Sequence, residues 1–566
     1  MMKHPISPAL ISSLLLLLSA CVLPPPVRTS PAQQAPAPVL PTPVATALPL
    51  YKNLGQHTRK ITASSPDAQK YFDQGLILAY AFNHAEALKM FQEGIRLDAN
   101  CAMCYWGVAY VLGPNYNAAM DNAAVPDAYA AAQKAMALAH DGKATELEHA
   151  LIDAMVERYS KDVVENRAPL DLAYAEAMRE VNKKFPNDAD VLALLAESLM
   201  NLMPWNLWTK DGKPTDNTPE ILAALEAALK LNVNHPGANH FYVHATEASS
   251  TPEMAVPAAE RLATLVPDAG HLVHMPAHTY WRVGRYHDAA EVNKHAVHAD
   301  ESHNFTPDRI GISNYSVGYY PHNIHFLFAA ASMEGNSATA LEAAHKLAAT
   351  IPVEAYAVLP QFELFPPSTL FTQVRFGLWD EVLKEAQPPA QLKYTTGIWH
   401  YARGMAQLRK GNVAEAQKEL AQLNTLATSD EMAKLGLLSF STAGQLLTIA
   451  NHTLEGEIAG AQGDAAAQIK RLEEAVALQD ALPYIEPPAW YFPVRQALGA
   501  ALLKAGKPAE AEAVYREDLR QYPKNGWSLF GLAQSLKAQG KDNADVQKQF
   551  ADAWAHADVT LAGSQY

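Results

Sequence analysis

Cysteine is nearly absent: three in 566 residues, at positions 21, 101 and 104. No disulfide framework can hold such a chain together. Glycine is sparse, at 28 residues, and strand-like alternation of apolar and polar residues is hard to find. Apolar residues recur instead every three or four positions, so the chain reads as all-α. Basic residues are in deficit. Lys and Arg number 44 against 59 Asp and Glu, a formal charge of −15. That argues against nucleic acid or anionic lipid as the main partner. One apolar run near the start is too short to cross a bilayer, and no other stretch is long enough. There is no nucleophile elbow, phosphate loop or nucleotide fingerprint.

The short run, Ile11 to Leu18, follows a basic start and reads as the core of a secretion signal. It ends in Leu18-Ser19-Ala20-Cys21, which resembles the lipobox of bacterial lipoproteins. That resemblance implies cleavage after residue 20 and a lipid anchor on Cys21; an ordinary signal followed by an incidental cysteine is the alternative. Residues 22–50 are rich in Pro, Ala, Thr and Gln, a composition that extends rather than packs. The expected organisation is a signal over 1–20, a tether over 21–50 and a globular part from Tyr51. The expected location is the periplasmic face of the envelope. Val22 is not acidic, which favours the outer membrane.

The helices repeat. In residues 71–100, Gly75, Ala87 and Phe91 have a small-small-aromatic spacing, and Gly499, Ala511, Tyr515 and Pro523 repeat the frame near the end. This spacing resembles the tetratricopeptide repeat (TPR) family. The resemblance is weaker over 140–235 and 350–480. It implies a right-handed helical solenoid with a concave groove lined by the first helix of each pair. Residues 51–430 are expected to form the solenoid and 431–566 its C-terminal units.

Histidine is concentrated. Of 21 in the chain, twelve lie between His235 and His325. In the repeat frame one unit starts at Pro236 and the next at Gly270, thirty-four residues on; a third starts at Pro321. His240, His274 and His325 then share position 5, His244 and His278 share position 9, and His271 and His322 share position 2. Positions 2, 5 and 9 lie on one helical face, so these seven imidazoles converge on the groove. Glu247, at position 12 of the first unit, lies on the same face as a ligand or base. Three nitrogens hold one ion with an open position, and six or seven serve two. Imidazole suits copper, zinc, iron and nickel; copper and zinc are favoured, with iron a further candidate. The alternatives are a groove for an organic or anionic ligand, and incidental surface histidines.

Pro276 either kinks the second helix or delays its start. The third unit begins 51 residues after the second, an insertion of 17 within 301–320. This insertion could fold over the groove as a lid, with Tyr315, Tyr319, Tyr320 and Arg282 as substrate contacts. An ordinary surface excursion is the alternative. Cys101 and Cys104 form a Cys-x-x-Cys at a helix start, expected as a disulfide, with a dithiolate metal site or thiol exchange as the other readings.

The strings "HPGANHFYVHATE", "GHLVHMPAH", "YYPHNIHF" and "CAMCYWG" resemble a group of bacterial TPR-domain proteins that carry them. The resemblance supports the fold and the weight of the histidine face; it brings no reaction with it. The expected function is a metal-dependent oxidoreductase or hydrolase. The alternatives are metal storage or delivery, and a scaffold for an envelope protein.

Overall fold

The computed structural model describes residues 48–310, 313–438 and 440–566. The signal, Cys21 and most of the tether lie outside them. Among the described residues there is no strand, and none of the helices is long and apolar enough to cross a membrane. The helices run as successive antiparallel pairs, in a TPR-like solenoid.

The packing rule of the pairs is visible at both ends. A Cβ on Gly75 or Gly107 would strike the ring of Phe91. One aromatic side chain is therefore held between two glycines on the first helices of neighbouring units, Pro66–Tyr80 and Ala102–Leu112. Tyr515 lies in the same way between Gly499 and Gly531. Removing a side chain at the crossing lets each helix pair close on the aromatic ring, which is buried.

The three histidine-bearing units occupy the middle. Pro236–Glu247 pairs with Val256–Leu265, and Tyr320–Glu334 pairs with Ser337–Thr350. The second unit has a broken first helix, Gly270–His274 and Pro276–Arg282, packed on Tyr286–Ser302. Met275 at the break keeps helical φ and ψ, −53° and −34°, so Pro276 interrupts the helix without delaying its start.

Both ends of the described residues return to these units. The Asn53 N–H donates to Asp268 (3.0 Å). Trp527 Nε1–H donates to the Ser332 carbonyl (3.1 Å), and Asp558 accepts from the Ser337 N–H (2.7 Å). The histidine face is covered by other parts of the chain, with Phe82 on His240 and Tyr116 and Trp205 on His244.

The insertion before the third unit is packed down. It contains a short helix, Pro307–Ile310, and a π-helical turn, Tyr315–Tyr319. Tyr315 donates to Asp300 (2.7 Å) and Tyr320 to Glu301 (2.8 Å). These two hydroxyls fasten the insertion to the preceding helix. Cys101 and Cys104 are joined in a disulfide.

Candidate metal centre

The histidines fall into two groups of three. His240 and His244, one turn apart on Pro236–Glu247, meet His271 from the next unit. His274 and His278, again one turn apart, meet His322 from the third unit. Within each group the candidate ligand nitrogens all lie within 4.8 Å of one another. In the second group His274 Nε2 is 2.9 Å and His322 Nε2 3.4 Å from His278 Nε2. Ligands about 2.0 Å from a tetrahedral ion stand about 3.3 Å apart, so these separations already match a coordination sphere.

The groups adjoin. The His240 and His271 rings are 4.9 Å apart, and the shortest ring separations between the groups are 5.8 Å, for His244 to His278 and His271 to His274. Each group combines positions 5 and 9 of one unit with position 2 of the next. His325 begins a third such set, but position 9 of its unit is Ala329. The structure accordingly leaves His325 outside both groups. Its ring lies 6.1 Å from His322, against Phe365 and Tyr491. Six of the seven imidazoles expected as ligands thus lie in the two groups.

Four of the six rings are oriented by an acceptor at Nδ1. His240 donates to the Tyr80 carbonyl (2.6 Å) and His274 to Asn293 Oδ1 (2.7 Å). His244 and His278 donate to the two oxygens of Glu247, Oε1 at 2.8 Å and Oε2 at 2.5 Å. A proton on Nδ1 leaves the Nε2 lone pair free. The Nε2 atoms of His240 and His244 are buried and meet no protein partner, and neither nitrogen of His271 does. Buried polar atoms without partners are costly, and histidines held at one nitrogen with the other bare are the usual state of metal ligands. Glu247 therefore acts behind the ligands, on one histidine of each group.

The electrostatics disfavour charge on five of the six rings. Burial, and then the neighbouring imidazoles, push His240, His271, His274 and His322 well below the ordinary histidine range. His244 is lowered by burial, and His325 to about 3 by the same cause. Burial alone would raise Glu247, but His278 and His244 outweigh it and bring its carboxyl down to about 2. Neutral imidazoles need lose no proton to bind a metal.

The walls are aromatic. Phe82 lies 4.6 Å from His240 and 5.6 Å from His271; Tyr116 and Trp205 pack on His244 at 5.1 and 5.9 Å. Phe326 covers His274 and His278 at 5.2 and 4.9 Å, and Tyr319 meets His271 at 4.6 Å. Phe82 and Trp205 adopt left-handed φ values of 56° and 60°, a strain of roughly 1 kcal/mol or more per residue that accumulates at functional sites. Arg282 donates to the carbonyls of Glu247 and Ser249, a role in holding the helix end. None of Tyr80, Phe82, Tyr116, Trp205, Asn293 and Phe326 is marked by the repeat frame. Phe82, Tyr116 and Trp205 come from turns far away in the chain, Tyr80 from the end of the first described helix, Asn293 from the second helix of the second unit and Phe326 from the first helix of the third.

A third cluster, His57, Asp190 and His235, has a different character. Asp190 Oδ1 accepts from Tyr80 (2.7 Å), His57 (3.0 Å) and His235 (3.1 Å), while Arg59 holds Oδ2. His235 Nδ1 accepts from the Ala238 N–H, so its proton is on Nε2. This carboxylate is saturated. It anchors Tyr80, whose carbonyl orients His240.

No family model matches the chain, and no curated protein matches it. Solved structures do. Human IFIT1, in a dimer with m7Gppp-AAAA, is 13% identical with 88% of this chain and 92% of that chain covered, at a TM-score of 0.31. Yeast Tom70 is 12% identical over 87% and 92%, at 0.28. Cut9–Hcn1, an APC/C hetero-tetramer, gives 12% over 86% and 76%, also at 0.28. All three are TPR-like helical-repeat proteins. Several groups of this chain's side chains could hold a metal.

Proposed function

We propose that this chain is a dinuclear metalloprotein: His240, His244 and His271 hold one ion, and His274, His278 and His322 the other. The observation that carries the reading is the Nδ1 pattern. Acceptors at Nδ1 on four rings leave their Nε2 atoms facing two adjacent centres, and Glu247 ties one ring of each centre together.

The donor set bears on the metal. Six imidazoles, which as ligands carry no charge, with a single carboxylate behind them offer little charge to offset a buried cation. Two divalent ions would bring four positive charges against one negative, whereas a cuprous pair brings two. Burying uncompensated charge is expensive, so the site favours copper over zinc, and iron less than either. Two coppers that each change by one electron make a two-electron centre, and the function that follows is an oxidoreductase; a zinc pair would make it a hydrolase. The closure of the site supports a second reading, metal storage or delivery, because all six ligands are wholly or largely covered. The lipid anchor on Cys21 and the periplasmic location remain part of the proposal.

Elemental analysis of protein purified without a histidine tag tests it. Two equivalents of copper are expected, falling to one or none in His274→Ala/His278→Ala. Metal-free wild-type protein that takes up neither copper nor zinc would refute it. Copper that turns over no electrons with added reductant and dioxygen decides for storage.

A further inference from the structure

Away from the buried centre, a second set of metal-ligand side chains lies on the surface. The helix Val125–His140 ends at His140, and the helix Glu146–Glu157 begins six residues later. The turn between them is fixed at both ends. Gly142 takes φ +73°, and the N–H groups of Gly142 and Lys143 donate back to Ala139 (3.0 Å) and Leu138 (3.1 Å), closing the first helix. Thr145 opens the second in a reciprocal cap with Glu148.

With both caps set, the backbone brings His140 over His149. Their rings stand 5.2 Å apart and within 22° of parallel. Asp153 follows His149 by one turn on the same face, its Oδ2 3.0 Å from His149 Nδ1. One donor atom from each of the three lies within 4.8 Å of the others. His140 and Asp153 are exposed and His149 is half-buried; Glu146 and Lys184 border the same shallow depression.

We propose that His140, His149 and Asp153 form a third metal position, for one divalent ion of zinc type, independent of the buried pair. Two imidazoles and a carboxylate are a donor set that zinc takes in three-ligand sites, with the remaining position left to water. The separation of 3.0 Å between His149 Nδ1 and Asp153 Oδ2 is that of two ligands sharing an ion, and a proton bridges it in the metal-free chain. A surface His–Asp pair at this spacing contributes little to stability by itself, and it does not call for a second imidazole stacked over the first. The rigid turn supplies that imidazole. Because the ligands are exposed, the ion enters and leaves without any opening of the fold, unlike metal in the buried centre.

The test is a zinc chloride titration of the full chain, with bound zinc counted before and after a brief wash in EDTA. Wild type is expected to hold one equivalent that the wash removes. His140→Ala and His149→Ala should each lose that equivalent while thermal stability and the wash-resistant metal stay as in wild type. The proposal is overturned if wild type holds no washable zinc, or if His149→Ala holds as much as wild type. The wash-resistant fraction reports separately on the buried pair, so either site can fail without the other.

Discussion

Glu247→Gln separates the two jobs of this residue. The carboxylate accepts one Nδ1–H on each oxygen, from His244 at 2.8 Å and His278 at 2.5 Å. A carboxamide has one acceptor oxygen and one donor NH2. Only one of the two imidazoles can then keep its proton on Nδ1. The other faces an N–H, and relieving that clash moves its proton to Nε2, the atom required for the metal. In the proposed assignment the two histidines serve different ions, so the variant should damage one position and spare the other. Loss of an orienting partner typically costs 10–100-fold in metal affinity, or about 1.4–2.7 kcal/mol. The measurement is a competition titration against a chelator of known affinity, with stoichiometry by elemental analysis. Two unequal equivalents are expected, one near wild type and one weakened by that factor. Two equivalents of unchanged affinity would show that Glu247 does not select the ligand tautomer, and the argument from the Nδ1 pattern would fall with it.

Three further outcomes follow from the packing. His325→Gln should keep both equivalents, whereas His322→Gln should lose one; equal losses would return His325 to the ligand set. Gly270→Ala places a Cβ on the Asp300 carboxylate and should cost about 1–3 kcal/mol, as overpacking does, read as a lower Tm. It should weaken both ions together, because His271 and His274 share that helix. Glu363 is buried, and burial, with a smaller push from Glu431, raises its carboxyl from 4.5 to about 7 against opposing bonds from Thr395 and Tyr394. The unfolded chain releases this proton first as pH rises, so the group costs stability progressively from about pH 4.5 to 7 and by a constant amount above. Glu363→Gln should therefore gain on wild type across that window, by up to about 3 kcal/mol; urea midpoints that differ equally at pH 5 and pH 8 would refute this.

The helical class and the histidine register are legible because both are periodic. A repeat of 34 residues carries position 5 of one helix to position 5 of the next, and those positions share a face whatever the neighbouring loops do. The partition into threes is less visible. Each group takes an i, i+4 pair from one helix and a single ring from the next, so its third ligand is set by how far successive helices are displaced. That displacement belongs to packing and not to spacing along the chain. The surroundings are not periodic at all. Phe82 and Trp205 arrive on turns with unusual backbone geometry, and Asn293 arrives from a second helix. Asn293 is aimed by a bond from its own amide to the Ala289 carbonyl (2.7 Å).

The same translation accounts for the orphan. A set needs positions 5 and 9 of one unit and position 2 of the next, so three units complete only two sets. His325 is position 5 of a third set whose position 9 is Ala329. Two ions are therefore the number that this arrangement of units can hold with three imidazoles each. Glu247 stands where the second unit has Trp281, at position 12. A single carboxylate thus has to serve both centres, and it can do so only from the one helix whose end faces a histidine of each.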